Sequence, residues 1–415
     1  MSGSPSPSPT PQKASVGKLA VLMVTAFMDM VGVLMIIPLL PFYAKYMGAG
    51  GFVVGMLVSS FSVAQLLMAP VWGRLSDHYG RRPALMVGMT ASAIAYVIFA
   101  YADSLWLLFF SRLVQGAGGG TVSVIQAYVA DALEPKDRAK GLGWLSAATN
   151  AGVALGPLLG AIALKWGTPG PGLLAAGLSV LNIAFAWKFL TESRDMKEAA
   201  DARSKPRVPG RSRQAVARVA THPNEPASRL IWIYAIAIGA FQGSTAILAL
   251  FLAARFGVTE KTIGFFFAYI GVLSVVTRAL ILGPAVDKFG EAKLSRVGLT
   301  LLAIGLFALP FIYKASNPVL TYLPLALVVA LIPLGTAFTF PCVTSMLSRV
   351  VSSSERGLYM GVQQTFGGAA RVFFPIVYGF LFDRVIGLPF WLAGVLVAGT
   401  ILLGLGMESY QTKTA

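Results

Sequence analysis

Cysteine occurs once, at Cys342, and histidine twice, at His78 and His222, in a chain of 415 residues. A single thiol excludes an internal disulfide framework, and two histidines leave no cluster of metal ligands. Charge is also scarce. Asp, Glu, Lys and Arg make up 12% of the chain, where a soluble domain carries about 25%. Apolar residues fill the gap at 56%, in runs that recur from end to end. Such runs suit helices that cross a bilayer, which need ~20 apolar residues each. This excludes a soluble globular enzyme, a disordered chain, a coiled coil and a secreted disulfide scaffold. No nucleophile–base pair, H-E-x-x-H motif or phosphate-cradling loop is present, so neither an enzyme nor a cofactor is expected.

Hydropathy places twelve helical spans at roughly 19–43, 52–73, 84–102, 105–130, 139–164, 172–191, 230–254, 262–283, 294–313, 319–347, 357–382 and 388–407. Each must be a helix, because hydrocarbon offers no partner for exposed backbone groups. Lys45, Lys165, Arg255, Lys261, Lys314 and Arg384 fall at one end of the spans, and Arg112, Arg278 and Arg371 fall within them. Every other Lys and Arg falls at the opposite end. The positive-inside rule then puts both termini in the cytoplasm, and the net charge of +16 needs no nucleic-acid partner. Residues 1–18 read as a disordered tail, 19–191 and 230–407 as two six-helix bundles, 192–229 as a basic linker and 408–415 as a C-terminal tail. The linker is expected to be solvated, the alternative being a lipid-headgroup patch or a short amphipathic interfacial helix.

The bundles repeat one another. Gly73, Asp77 and Gly80 recur as Gly283, Asp287 and Gly290 at an offset of 210. Arg138 and Pro157 recur as Arg356 and Pro375 at an offset of 218. Parallel six-helix repeats predict an alternating-access membrane protein, all-α, with substrate held between pseudo-symmetric halves.

The motifs resemble the major facilitator superfamily, and within it the twelve-helix drug/proton antiporters, including tetracycline/proton antiporters. The likeness covers essentially the whole chain. Gly73-Arg74-Leu75-Ser76-Asp77-His78-Tyr79-Gly80-Arg81-Arg82-Pro83 resembles the signature loop between helices 2 and 3. Physically, Asp77 among three arginines can latch one face of the protein. The resemblance implies that this loop holds the outward-open state by contacting the N-terminus of helix 11. The second copy has Glu291 where the first has Arg81, which puts an equivalent latch there in doubt. Asp131 is expected to pair with a basic residue of the first loop, and Arg138 follows in the same gate. Ser111-Arg112-Leu113-Val114-Gln115-Gly116 resembles the helix 4 motif, in which an intramembrane Arg serves proton coupling. Gly152, Gly156, Pro157 and Gly160 resemble the antiporter motif G-x-x-x-G-P-x-x-G-G, with Ala161 replacing the last Gly; the bland reading is small-residue packing. Asp29-Met30-Val31-Gly32 through Pro41 resembles the first-helix motif of the drug antiporters.

Of the 17 acidic residues, only Asp29 lies deep inside an apolar span. A carboxyl whose surroundings alternate between wet and dry can carry a proton. Asp29 is therefore the expected titrating group, with Arg112 and Gln115 modulating it; the alternative is a static Asp29–Arg112 ion pair. Arg278 is expected to snorkel. Arg371 is expected to bond helix carbonyls or to meet an anionic or zwitterionic ligand. Asn150, Gln242, Phe267 and Gln363 are candidate substrate contacts in a mostly apolar cavity. The leading expectation is a monomeric, proton-coupled exporter of small amphipathic or drug-like compounds in a bacterial inner membrane. The alternatives are a proton symporter or facilitator of a nutrient or lipid-like solute, and a non-transporting receptor or scaffold.

Overall fold

The computed structural model describes residues 16–133, 135–193 and 211–407. The expected tails, 1–18 and 408–415, fall largely or wholly outside the described residues, as does the stretch 194–210 of the linker. The N-terminal half contains α1 (Val16–Ile36), α2 (Leu40–Tyr46), α3 (Gly51–Tyr79), α4 (Arg81–Ala100), α5 (Leu105–Gly118), α6 (Thr121–Ala132), α7 (Pro135–Ala163) and α8 (Gly170–Phe189). After α9 (Arg211–Thr221), the C-terminal half contains α10 (Pro226–Phe256), α11 (Glu260–Val276), α12 (Leu282–Phe289), α13 (Glu291–Ala308), α14 (Pro318–Val350), α15 (Arg356–Arg384) and α16 (Leu388–Leu403).

Ten helical stretches are long and apolar enough to span a membrane, and α16 is a shorter apolar helix. The pair α5–α6 supplies the remaining span of twelve. The expected continuous span 105–130 is therefore interrupted, because Gly119-Gly120 separates its two helices. The first span is broken in the same way at Pro38, which cannot donate a helical hydrogen bond. In the eighth, Thr277–Ile281 winds as a π-helical turn between α11 and α12.

Small residues bring the helices close. A Cβ added at Gly152, Gly156 or Gly160 of α7 would lie 2.7, 2.8 or 2.5 Å from the carbonyls of Phe27, Val31 and Met35 in α1. Only glycine permits that approach, and it is how helices associate where lipid is as apolar as their side chains. The neighbouring face of α7 meets α11 in the other half. There, Gly264 would meet the Pro157 carbonyl at 2.5 Å and Gly271 the Ala154 Cα at 2.6 Å. The second inter-half seam is α3 against α15. The repeat relates α3 to the α11–α12 stretch and α7 to α15, so the two seams exchange under the pseudo-twofold axis.

Both seams close at the end away from the basic loops. Asp383 accepts hydrogen bonds from the backbone N–H of Gly51 at 2.6 Å and Phe52 at 2.8 Å, capping α3 from the other half. A carboxylate at a helix N-terminus also meets the positive end of the helix dipole. Tyr46 donates to Glu260 at 2.8 Å across the same end. Toward the basic end the halves part around two cavities.

Candidate functional site

The larger cavity, about 780 Å³, is lined by Gly143, Ser146 and Asn150 of α7 and by Tyr234, Arg278, Phe340, Ser348 and Met360 of the other half. A cleft of about 520 Å³ lies between α3, α6 and α15, with Gln65, Gln126, Gln364 and Arg371 on its walls. Tyr234 joins the two, because it lines the first and its hydroxyl accepts from Arg371 at 3.3 Å. Gln242 and Phe267 line a third, apolar cavity of about 280 Å³ deeper between the halves. Gln363 is not on any of these walls. It is buried and accepts from Thr344, which lines the larger cavity, while its neighbour Gln364 faces the cleft.

Arg278 departs from expectation. It does not snorkel to an interface. The π-helical turn carries it, and its guanidinium donates to Asn150 Oδ1 at 2.9 Å across the halves. A π-bulge changes where side chains point and recurs at functional sites. Nothing in the hydropathy pattern marks such a turn; the signal available was Asn150 and Arg278, each costly in an apolar span.

Asp29 is 6% exposed and accepts a hydrogen bond from Thr121 Oγ1 at 2.9 Å. No ion pair joins it to Arg112, so the static-pair alternative is not what this conformation holds. Arg112, 2% exposed, donates to Gln115 Oε1 and lies 4.7 Å from the centre of the Phe61 ring. Tyr96 is buried, with its hydroxyl oxygen 3.0 Å from the Cβ position of Gly32, almost one turn beyond Asp29. Thr121 follows Gly120, which borders the cleft. The interruption after α5 thus brings the carboxylate within one side chain of the cavity wall.

At the basic end, Arg81 ties the signature loop together. It is 7% exposed and reaches Asp131 at 2.9 Å, Asp77 at 3.1 Å and Ser76 at 2.8 Å. Gly80 turns with φ of 101°. Beyond it, Glu192 accepts from the N–H of Arg81 at 2.9 Å and Arg82 at 3.0 Å, capping α4. Arg82 donates to the Trp187 carbonyl at 2.6 Å and Arg138 to the Leu133 carbonyl at 3.1 Å. Gly73 and Arg74 are exposed, and Gly73 joins this network through its carbonyl, which accepts from Ser76 Oγ at 3.1 Å.

The second copy is rebuilt with its signs exchanged. Glu291, at the place of Arg81, pairs with Arg349 at 2.9 Å and accepts from Ser345 at 2.7 Å. Arg349 stands at the place of Asp131 by the offset of 218. The substitution that cast doubt on this latch is one half of a reversed ion pair.

The linker's described part includes α9, which packs on the C-terminal half. Ala215 and Val219 are buried, Trp232 Nε1–H donates to the Val219 carbonyl at 3.2 Å, and Arg211 lies 3.6 Å from Glu355 at the start of α15.

The description Major Facilitator Superfamily fits this chain over residues 22–375 and, in an overlapping match, 230–413. The chain is 28% identical over 396 residues to Multidrug resistance protein 2 of Bacillus subtilis, covering 95% of both proteins. It is 31% identical over 351 residues to the class C tetracycline resistance protein of Escherichia coli, covering 83% of this chain and 84% of that one. Among solved structures, the nucleoside transporter NupG superposes with a TM-score of 0.75 at 14% identity, covering 94% of this chain and 99% of that one. The human organic anion transporter MFSD10 gives 0.66 at 22% identity, with the same coverage of each. The full-length match and the twelve spans in paired bundles place the chain in the Major Facilitator Superfamily, as a multi-pass membrane transporter and not an enzyme.

Proposed function

We propose that the protein is a proton-coupled exporter of small amphipathic or drug-like compounds, working by alternating access. The observation that carries this reading is Asp29. It is a buried carboxylate held by Thr121, beside the cavity wall and on the helix that the α7 glycines grip. Membership beside multidrug and tetracycline resistance proteins supports export of such compounds. The basic end is the cytoplasmic one by charge asymmetry, which puts both termini inside, in what is expected to be a bacterial inner membrane. The bundles are residues 19–191 and 230–407, and the working unit is a monomer.

Because α7 packs against α1 on one face and α11 on the other, a change of charge at Asp29 acts on the seam between the halves. Protonation removes a buried charge, which favours a drier surrounding. Substrate is taken from the basic-end cavities. The halves then rock about the α3–α15 and α7–α11 seams, and a proton entering through Asp29 resets them. Arg81, Asp77 and Asp131 form the gate on the cytoplasmic face, with Gly73, Arg74, Gly80, Arg82 and Arg138 shaping that loop end.

Transport in proteoliposomes under an imposed pH gradient tests the reading. Asp29→Asn is expected to lose uphill transport and to retain downhill exchange, since Thr121 still has an oxygen to bond. Unchanged uphill transport by Asp29→Asn would remove Asp29 from the coupling role. Proton and substrate moving in the same direction would favour the symporter reading instead.

A further inference from the structure

The two cavities open toward the basic end have an uneven charge. Among the described residues, their walls carry Arg278 and Arg371 and no Asp or Glu. Both arginines sit inside apolar spans, where a cation costs several kcal/mol unless something answers it. What answers them is neutral: Asn150 for Arg278 and the Tyr234 hydroxyl for Arg371. The Nε–H of Arg278 is buried with no acceptor. Asn150 and Tyr234 spread the charge without cancelling it, and Tyr234, bonded to Arg371, lines the same cavity as Arg278.

We propose that this site takes amphipathic organic anions, compounds with a carboxylate, sulfonate or phosphate on an apolar body. The proposal rests on the transporter reading above and names the substrate class of the same site. The guanidinium fork suits planar, bidentate contact with an oxyanion. Arg278 holds the anionic group at the α7–α11 seam, with its Nε–H supplying a donor that Asn150 leaves over. Arg371 draws the anion in from the cleft, and Tyr234 passes it between them. Phe340 and Pro341, on the same wall as Arg278, receive the apolar body. A lipophilic cation would find two like charges and no carboxylate among the described wall residues, since Glu291 stands behind Ser345 paired with Arg349 and Asp29 stands behind Thr121; this disfavours it wherever water is excluded.

The test uses purified protein and dyes that share a ring system and differ in charge: fluorescein as anion, rhodamine 123 as cation. A second pair is 1-naphthoate and 1-naphthylmethylammonium. Binding is read by fluorescence anisotropy for the dyes and thermal shift for the naphthyl pair. The anion is expected to bind at least about tenfold more tightly in one or both pairs. Arg278→Gln and Arg371→Gln should each weaken anion binding about tenfold, and Arg278→Lys should weaken it less than Arg278→Gln. Equal or tighter binding of the cations, binding by neither sign, or unchanged anion affinity in both Gln variants overturns the proposal. If a Gln variant fails to fold, the charge preference of the wild-type protein decides by itself. Gradient-driven efflux in proteoliposomes separates the two readings. Efflux of a cation with no anion binding sinks the anion site and leaves the exporter. Anion binding without gradient-driven transport sinks the exporter and leaves the site.

Discussion

Arg81 and Glu291 occupy equivalent places in the two halves and carry opposite charges, and each has its partner of reversed sign on the facing helix. Such a pair is specified by complementarity and not by which member holds the cation. Removing one member leaves the other desolvated, a cost that can reach about 3–5 kcal/mol for a fully buried pair. Asp131 keeps 33% side-chain exposure, so roughly 1–3 kcal/mol is the better expectation here. Arg81→Asp should therefore lower the melting temperature in detergent, since it sets three carboxylates together. Adding Asp131→Arg should recover much of that loss, because the C-terminal half already folds with this polarity. A double variant no more stable than either single one would show that the loop needs its arginine for another reason.

The glycine face of α7 makes a claim about whole helices. A side chain at Gly152 would have to displace the Phe27 carbonyl, which is backbone and cannot turn aside. Gly152→Leu should separate α1 from α7, cost about 1–3 kcal/mol of stability, and reduce transport more strongly than it reduces expression. The helix α9 invites a different measurement. Among its contacts with the C-terminal half, Val219 is the most deeply buried side chain, at 0% exposure. Val219→Asp should release it, and limited tryptic digestion should then cut after Arg213 and Arg218 several times faster than in the wild-type protein. Equal digestion rates would mean that α9 is held by other contacts. The elements also show how far the sequence could be read. Twelve apolar runs and the repeat between loops were legible, because span length and loop motifs are properties of the chain alone. The breaks at Pro38 and Gly119-Gly120 and the π-helical turn at 277–281 were not. In a membrane, Gly and Pro occur within unbroken helices as well, as Pro70 and Pro157 do here. Where a backbone departs from the helix is settled by packing between helices, which no single span reports. For the same reason Asp29 could be picked out by elimination, while its bond to Thr121 and the pairing of Arg278 with Asn150 could not.

For the whole molecule, the closed end is where motion must begin. Phe52 and Phe380 stand across the α3–α15 seam with ring centres 6.3 Å apart. Replacing both with cysteine and cross-linking them should stop transport, and a reductant should restore it. Cys342 is buried and is the chain's sole cysteine, so the reagent has no competing target. Transport that survives a complete cross-link would mean that this end does not open. Asp383→Asn should act in the opposite sense. It weakens the charge-assisted cap on α3 and should speed the reaction of Phe52→Cys with a water-soluble thiol reagent beyond the rate that the 39% exposure of Phe52 already allows.

The reversed ion pairs also make the two halves non-interchangeable. A chimera exchanging residues 73–83 with 283–293 would keep each glycine and aspartate of the turn in register. Yet it would set Glu beside Asp131 in one half and Arg beside Arg349 in the other. The two halves thus carry incompatible keys. A helix of the first half can then not be mistaken for its twin during assembly.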